Sequence, residues 1–174
     1  YAVVAESEIA LREGTPLSVG LRFEKRETNY EDSEEIEFSP SENFWGGEIS
    51  VNKDLYDSFH AYASVARGFK AGGFNIDGTL DGDLREFDEE YLIEYEAGFK
   101  GSLFENNLQL RLAIFKDDRK DQQVKSSIVR PRPDGSTEFI DFLGNAAEGT
   151  NQGLETSISW EINPNWRLTF DAGL

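Results

Sequence analysis

Along most of this chain, apolar and polar residues alternate one for one. Leu17, Val19, Leu21 and Phe23 are interleaved with Ser18, Gly20, Arg22 and Glu24. Leu108, Leu110, Leu112 and Ile114 are interleaved with Gln109, Arg111 and Ala113, and Trp166, Leu168, Phe170 and Ala172 with Arg167, Thr169 and Asp171. Successive side chains of a strand point to opposite faces, so each segment offers one greasy face and one wet face. The pattern predicts strands at 1–11, 16–27, 44–52, 58–67, 91–104, 107–118, 149–162 and 165–174, with a ninth short segment at 138–143. Their connections alternate in length. Those at 12–15, 53–57, 105–106 and 163–164 are short and rich in Gly, Asn, Asp and Pro, which suit tight turns, whereas those at 28–43, 68–90 and 119–148 are long. A sandwich with Greek-key crossings has no reason to sort its loops by rim. A meander across a bilayer does, because one rim merely turns and the other meets ligands. The expected fold is all-β, an antiparallel up-and-down meander of about eight strands in a transmembrane barrel wall.

Charge sharpens this picture. Arg22, Glu24, Glu48, His60, Glu94, Glu96, Lys100, Arg111, Glu155, Glu161 and Asp171 all fall on the wet face. Unpaired buried charge costs several kcal/mol, so that face must meet water or a polar plug. The greasy face is almost free of charge between the rims, and Tyr56, Phe59, Phe104, Trp160 and Trp166 lie beside the short turns, where an aromatic girdle belongs. Closing eight strands on themselves would pack the charges into a narrow lumen. No run of about 18 apolar residues is present, so no helix of this chain is expected to span a membrane. The 174 residues hold 34 acidic and 17 basic side chains, a net charge of -17 that argues against a nucleic-acid partner. There is no cysteine, and His60 is the sole histidine, which leaves little scope for a metal centre or a Ser-His-Asp arrangement. No cofactor is expected.

Several local motifs occur in a fixed order. Tyr62-Ala63-Ser64-Val65-Ala66-Arg67-Gly68-Phe69-Lys70-Ala71-Gly72-Gly73-Phe74-Asn75 is followed by Tyr95-Glu96-Ala97-Gly98-Phe99-Lys100 and then by Leu103-Phe104-Glu105-Asn106 at a tight turn. Ala113-Ile114-Phe115 then runs into Asp121-Gln122-Gln123, and Gly149-Thr150-Asn151-Gln152-Gly153-Leu154-Glu155 enters a later strand. With Val19-Gly20-Leu21-Arg22-Phe23 upstream, this series closely resembles TonB-dependent outer-membrane receptors over essentially the whole chain. The resemblance implies a segment of a large barrel in the outer membrane of a Gram-negative bacterium, in contact with its lipid. It also implies a plug domain inside the barrel, energy relayed by the TonB complex, and uptake of a scarce nutrient such as a ferric siderophore. The chain opens and closes inside strands and has no methionine, so it reads as an interior stretch of a receptor. On this reading the plug, the TonB-contacting segment and the barrel C-terminus lie outside it, and residues 1–11 and 165–174 form sheet edges. A passive porin-like channel and a secreted glycan-binding β-sandwich are the alternatives. In the sandwich, the Leu17 to Phe23 and Leu108 to Leu112 faces would pack on each other.

Individual residues divide into shaping and contacting roles. Arg67, Gly68, Phe69, Lys70, Gly72, Gly73, Phe74 and Asn75 are expected to turn a strand into a rim loop, with Arg67 and Lys70 pairing with Glu94 or Glu96. The glycines lack the Lys-Ser/Thr ending of a phosphate cradle. Tyr95, Glu96, Gly98, Lys100, Gln122, Gly153 and Glu155 are read as structural members of the family motifs. Glu94 and Glu96 share a face, but without a cleft they read as barrel lining and not as a glycosidase pair. Asp77, Asp81, Asp83, Glu86, Asp88, Glu89 and Glu90, like Glu31, Asp32, Glu34, Glu35 and Glu37, are expected as solvated acidic loops, since their spacing does not fit a calcium-binding EF-hand. Ligand contacts are expected on the long-loop rim, from Tyr30, Phe74, Arg85, Phe87, Arg130, Arg132 and Phe139.

Overall fold

A computed structural model of the chain describes residues 1–31, 37–56 and 58–174. Eight strands make one antiparallel sheet in sequential order: β1 (Ala2–Arg12), β2 (Thr15–Glu27), β5 (Ser41–Tyr56), β6 (Phe59–Lys70), β9 (Glu90–Leu103), β10 (Leu108–Pro131), β11 (Thr137–Asn163) and β12 (Trp166–Gly173). Two small ribbons decorate one rim, β3 (Tyr30–Glu31) with β4 (Glu37–Phe38), and β7 (Gly73–Phe74) with β8 (Glu86–Phe87). The sheet is open, with β1 and β12 at its edges.

The register turns the alternation into two continuous surfaces. Ile9, Leu17, Val51, Ala63, Ala97, Ile114 and Leu154 stand side by side across seven strands on one face. On the other face the neighbouring row reads Glu8, Ser18, Ser50, Ser64, Glu96, Phe115 and Gly153, and the row above it Glu6, Gly20, Glu48, Ala66, Glu94, Asp117 and Asn151. The shallow concavities along the sheet open on this polar face, for example among Glu6, Glu8, Ser18 and Glu48, and among His60, Lys100, Arg111 and Ser157. Among the described residues, nothing covers the apolar face. Phe23 is 57% exposed and Ile114 55% exposed, whereas a sandwich would bury both. That excludes the sandwich. The apolar band ends where Lys116, Asp118 and Lys120 follow Ile114 on the same face of β10.

The short-turn rim is built from residues that tolerate unusual backbone. Gly14 sits at φ +63 between β1 and β2. Between β9 and β10, Phe104, Glu105 and Asn106 have φ of 54, 57 and 71, and the Asn107 amide donates to Phe104 O at 3.0 Å. Asn accepts the left-handed region readily, but Phe and Glu each cost about 1 kcal/mol there. The exposed Phe104 ring at this rim is positioned to recover that cost in the headgroup layer. After β11 the Asn165 amide donates to Asn163 Oδ1 at 3.0 Å, an Asx turn.

The long-loop rim departs from the sequence-based expectation. The stretch 119–148 is not a loop, because β10 and β11 continue as a paired hairpin to Pro131 and Thr137. Past the membrane band both faces of a hairpin meet polar surroundings, so the apolar alternation that marks a strand disappears while the backbone pairing persists. The expected segment 138–143 is the far part of β11. Gly68, Phe69 and Lys70 likewise belong to β6, and the rim loop begins at Ala71. Strand β5 runs longer at both ends than 44–52. Asp32, Glu34 and Glu35 of the first acidic cluster lie outside the described residues, as does Asp57.

Substitution of Leu112 by Arg, on the apolar face, is expected to cost about 2–4 kcal/mol in the bilayer, against less than about 1 kcal/mol for Ser50→Lys on the polar face. Heat-modifiable, folded receptor recovered from outer membranes should fall sharply for the first and hold for the second.

Candidate functional site

The elaborated rim is assembled from the tops of β2, β5 and β6, the hairpin above the start of β9, and the segment 71–89, which we call the strap. Its base is aromatic. Phe44, buried on β5, stacks on Phe69 with centroids 5.0 Å apart, and the Arg26 guanidinium lies 5.8 Å over the Phe44 ring. Arg26 also donates to Glu42 Oε2, from Nε at 3.0 Å and Nη2 at 2.6 Å, and to the carbonyl of Gly72. Gly72 is required by this close approach: a Cβ there would collide with the Phe87 carbonyl and stand 2.7 Å from Glu42 Oε1.

Amide side chains fasten the strap to the hairpin. Asn75 Nδ2 donates to the carbonyls of Leu84 and Leu143, each at 2.8 Å, and its Oδ1 accepts from the Leu143 amide at 2.8 Å. Asn145 Nδ2 donates to the carbonyls of Asp88 (3.0 Å) and Asp121 (2.7 Å), and its Oδ1 accepts from the Asp88 amide at 2.6 Å. Buried Gln123 donates from Nε2 to the carbonyls of Ala71 (2.9 Å) and Asp88 (3.0 Å), while its own amide donates to buried Glu90 Oε2 at 3.0 Å. Glu90 meets Arg119 at 3.3 Å and Lys70 at 4.0 Å, so its charge is compensated. Each such bond contributes about 0.5–1.5 kcal/mol net, and leaving a buried member unpaired costs more.

The two basic residues at the top of β6, Arg67 and Lys70, pair differently from expectation. Arg67 lies between the rings of Trp45 (4.3 Å) and Tyr91 (4.6 Å), donates to the Trp45 carbonyl and meets Glu89 at 3.6 Å. It cannot reach Glu94 or Glu96. Arg67 pairs in register with Ile93 on the outward face, and both glutamates point to the lumen. Lys70 meets Glu90 instead.

The expected ligand contacts divide sharply. Arg85 is buried, and its Nε donates to Asn75 O at 3.0 Å inside the strap. Phe87 lies against Gly73, where a Cβ would stand 2.9 Å from the ring. Arg130 donates to Thr79 O at 2.9 Å and meets Asp81 at 3.7 Å, tying hairpin to strap. Tyr30 and Phe74 pack on each other, half-buried, with centroids 4.7 Å apart. Phe139 is 69% exposed beside its strand partner Val129, and exposed Arg132 meets Glu138 at 3.0 Å. Carboxylates in these loops cap turns. Thr79 donates to Asp77 from its hydroxyl and its amide, and Ser136 does so to Asp134, holding both carboxyls below the usual aspartate range. Asp141 is lowered mainly by Lys125 at 2.6 Å and by Ser127.

Below the rim, the wall motifs organise the lumen face. The Tyr62 ring lies flat over Gly98, where any Cβ would collide with it; its hydroxyl donates to Glu96 Oε1 at 2.5 Å, and Lys100 Nζ stands 4.6 Å over the ring. His60 and Asp54 are 2.7 Å apart nearer the short turns. Glu155 lies beside Ala113 and Gly173 on the same face, Gly153 makes room for the Phe115 ring, and Tyr95 faces outward between Val65 and Lys116. Gln122 sits in the register shift of β10 opposite Ala147, and the neighbouring Gln123 makes the fastening bonds. The tandem glutamines gave no signal of which would turn inward, because the shift breaks the alternation. Asn145, Arg119, Arg26 and Glu42 were missed for a related reason: each acts through backbone or a charge distant in sequence. Glu90, expected in a solvated acidic loop, is instead buried at the start of β9, because the Gln123 amide, Arg119 and Lys70 satisfy its carboxylate there.

A one-layer sheet with an apolar outer face, a polar concave face and one elaborated rim is the wall of an outer-membrane β-barrel. All 174 residues match the family model described as TonB dependent receptor-like, beta-barrel, and the chain belongs to that family. It is 32% identical over 120 residues to the pesticin receptor of Yersinia pestis, covering 69% of this chain and 16% of that protein. Its fold superposes on the ferric yersiniabactin uptake receptor FyuA from Yersinia pestis with a TM-score of 0.78 at 23% identity, covering 99% of this chain and 26% of that one. For the ferric-catecholate import receptor Fiu of K12 E. coli the TM-score is 0.68 at 16% identity, covering 99% and 27%. The chain thus spans about a sixth of the curated relative and a quarter of the solved receptors. The family consists of receptors and transporters.

Replacing Gly72 with Ala drives a methyl into the Phe87 carbonyl and is expected to cost about 1–3 kcal/mol, localised to the strap. Limited proteolysis of the full-length receptor in membranes should show new cleavage within 71–89 while the barrel remains intact.

Proposed function

We propose that residues 1–174 form part of the barrel domain of a receptor that imports a scarce nutrient, such as a ferric siderophore, across the outer membrane with energy relayed by TonB. The plug and the TonB-contacting segment belong to other parts of that receptor. The observation that carries this reading is the full-length match to the receptor barrel family, together with a rim far more elaborate than a passive channel needs. Relatives named for ferric yersiniabactin and ferric-catecholate uptake support the choice of cargo.

The rim supplies capture, and the wall supplies a polar passage. Phe139 and Arg132 on the hairpin offer an apolar surface and a cation to an incoming chelate, and the Tyr30–Phe74 pair offers ring faces beside the strap. Arg85, Phe87 and Arg130 serve by shaping the strap and its contact with the hairpin. Beneath them the lumen rows, rich in serine and carboxylate, present water-compatible groups to a plug and to passing solute. No bond-breaking chemistry is required of any residue.

In a strain lacking siderophore synthesis and its own receptors, the full-length protein should restore TonB-dependent radio-iron uptake. Uptake that persists without TonB would favour the passive channel and overturn the reading. Combining Phe139→Ala with Arg132→Ala should weaken ligand binding about tenfold at unchanged outer-membrane abundance.

A further inference from the structure

The strap and the hairpin hold each other reciprocally. Asn75, on the strap, gives its N–H to the Leu143 carbonyl and takes the Leu143 amide on its Oδ1. That two-bond pattern is the one a peptide group of a neighbouring antiparallel strand would make. Leu143 already has Lys125 as its strand partner, so Asn75 stands in for a further strand beside β11. Asn145, on the hairpin, does the same for Asp88 of the strap and adds a bond to the Asp121 carbonyl, where β10 shifts register and φ is 53. Gln123 then binds both ends of the strap at once, through Ala71 and Asp88.

Apolar packing contributes little here. Among the described residues, Leu80 of the strap and Ile140 of the hairpin are the buried apolar side chains of this assembly. Its geometry is therefore set by directional bonds, whose lengths and angles tolerate little displacement, and less by grease, which does. The side chains must also be amides. Aspartate at 75 would lose the donors to Leu84 and Leu143 and set a carboxylate against their carbonyls, and alanine would leave the Leu143 N–H without this acceptor.

We infer that Asn75, Asn145 and Gln123 are positioning residues that make the strap and the β10–β11 hairpin one rigid body at the rim. Phe74 on the strap and Arg132 and Phe139 on the hairpin are thereby held at a fixed separation, and recognition by this part of the rim is preorganised instead of depending on closure of one element over the other. The last step rests on the ligand-capture reading; the rigid body itself does not.

These 174 residues contain no cysteine, so once any cysteine elsewhere in the full-length receptor is replaced by serine, spin labels can be placed at exposed Asp83 and Thr137 and their separation followed by pulsed dipolar spectroscopy. The wild type should give one narrow distance distribution, and Asn75→Ala with Asn145→Ala should broaden it by about twofold or more at unchanged barrel melting. Asn75→Asp should broaden it as well. A broad wild-type distribution, or an unchanged one in the double variant, overturns the inference. If the variants do not accumulate, hydrogen exchange on the unaltered receptor decides: the Leu143 and Asp88 amides should exchange slowly, and rapid exchange of both overturns the rigid body. A narrow distribution in a receptor that binds no siderophore would leave the interlock standing and sink the capture reading alone.

Discussion

Within hydrocarbon there is no water to satisfy a peptide group, so every N–H and C=O of a spanning strand must find its partner on a neighbouring strand. In this chain that requirement is met between successive strands of the eight-stranded sheet, without a crossover, and is left open at the outer edges of β1 and β12. Pairing then fixes register, and register fixes which side chains share a face. A slip of one residue would turn Ile114 and Leu154 toward the lumen and Glu96 and Glu155 toward lipid. The apolar row across seven strands and the carboxylate rows beside it arise from one constraint, and so does the lack of a conventional core.

Above the membrane band that constraint relaxes, and the architecture changes with it. Water can satisfy backbone groups there, so the wall no longer needs every strand to continue, and β9 starts at Glu90 while β10 and β11 climb on. Side chains take over the work of holding chain to chain. The rim is knit by amides, by Glu90 with its basic neighbours, and by an arginine between two aromatic rings. Such contacts are few, polar and local, which suits a surface whose shape matters more than its thermodynamic weight.

The sequence made the wall readable because a membrane sheet writes its environment into alternate positions. Faces, strand order and the asymmetry of the rims were all legible from Leu17 to Phe23, Leu108 to Ile114 and the turn residues. The hairpin beyond Arg119 was not, since two wet faces leave no alternation even though Gln123 to Pro131 pairs as regularly as the segment below it. At the rim, placement was legible and accessibility was not. Phe139 and Arg132 stand open as their residue types suggested, whereas Arg85, Phe87 and Arg130 are consumed in shaping the loops. Asn75 carried a motif but no visible role, because its partner is the backbone of Leu143, 68 residues away.

The hairpin has a kinetic consequence. Pairing with β9 stops at Lys120, and β10 continues to Pro131, a climb of roughly 35 Å at about 3.3 Å per residue. Its tip therefore samples solution well beyond the headgroups, in the layer where diffusing solutes first arrive. If the rim captures a ligand as proposed, first encounter would happen at that height, on a mast that enlarges the target a dilute solute must hit. From there the solute would no longer search bulk solution; it would make a short descent along a surface.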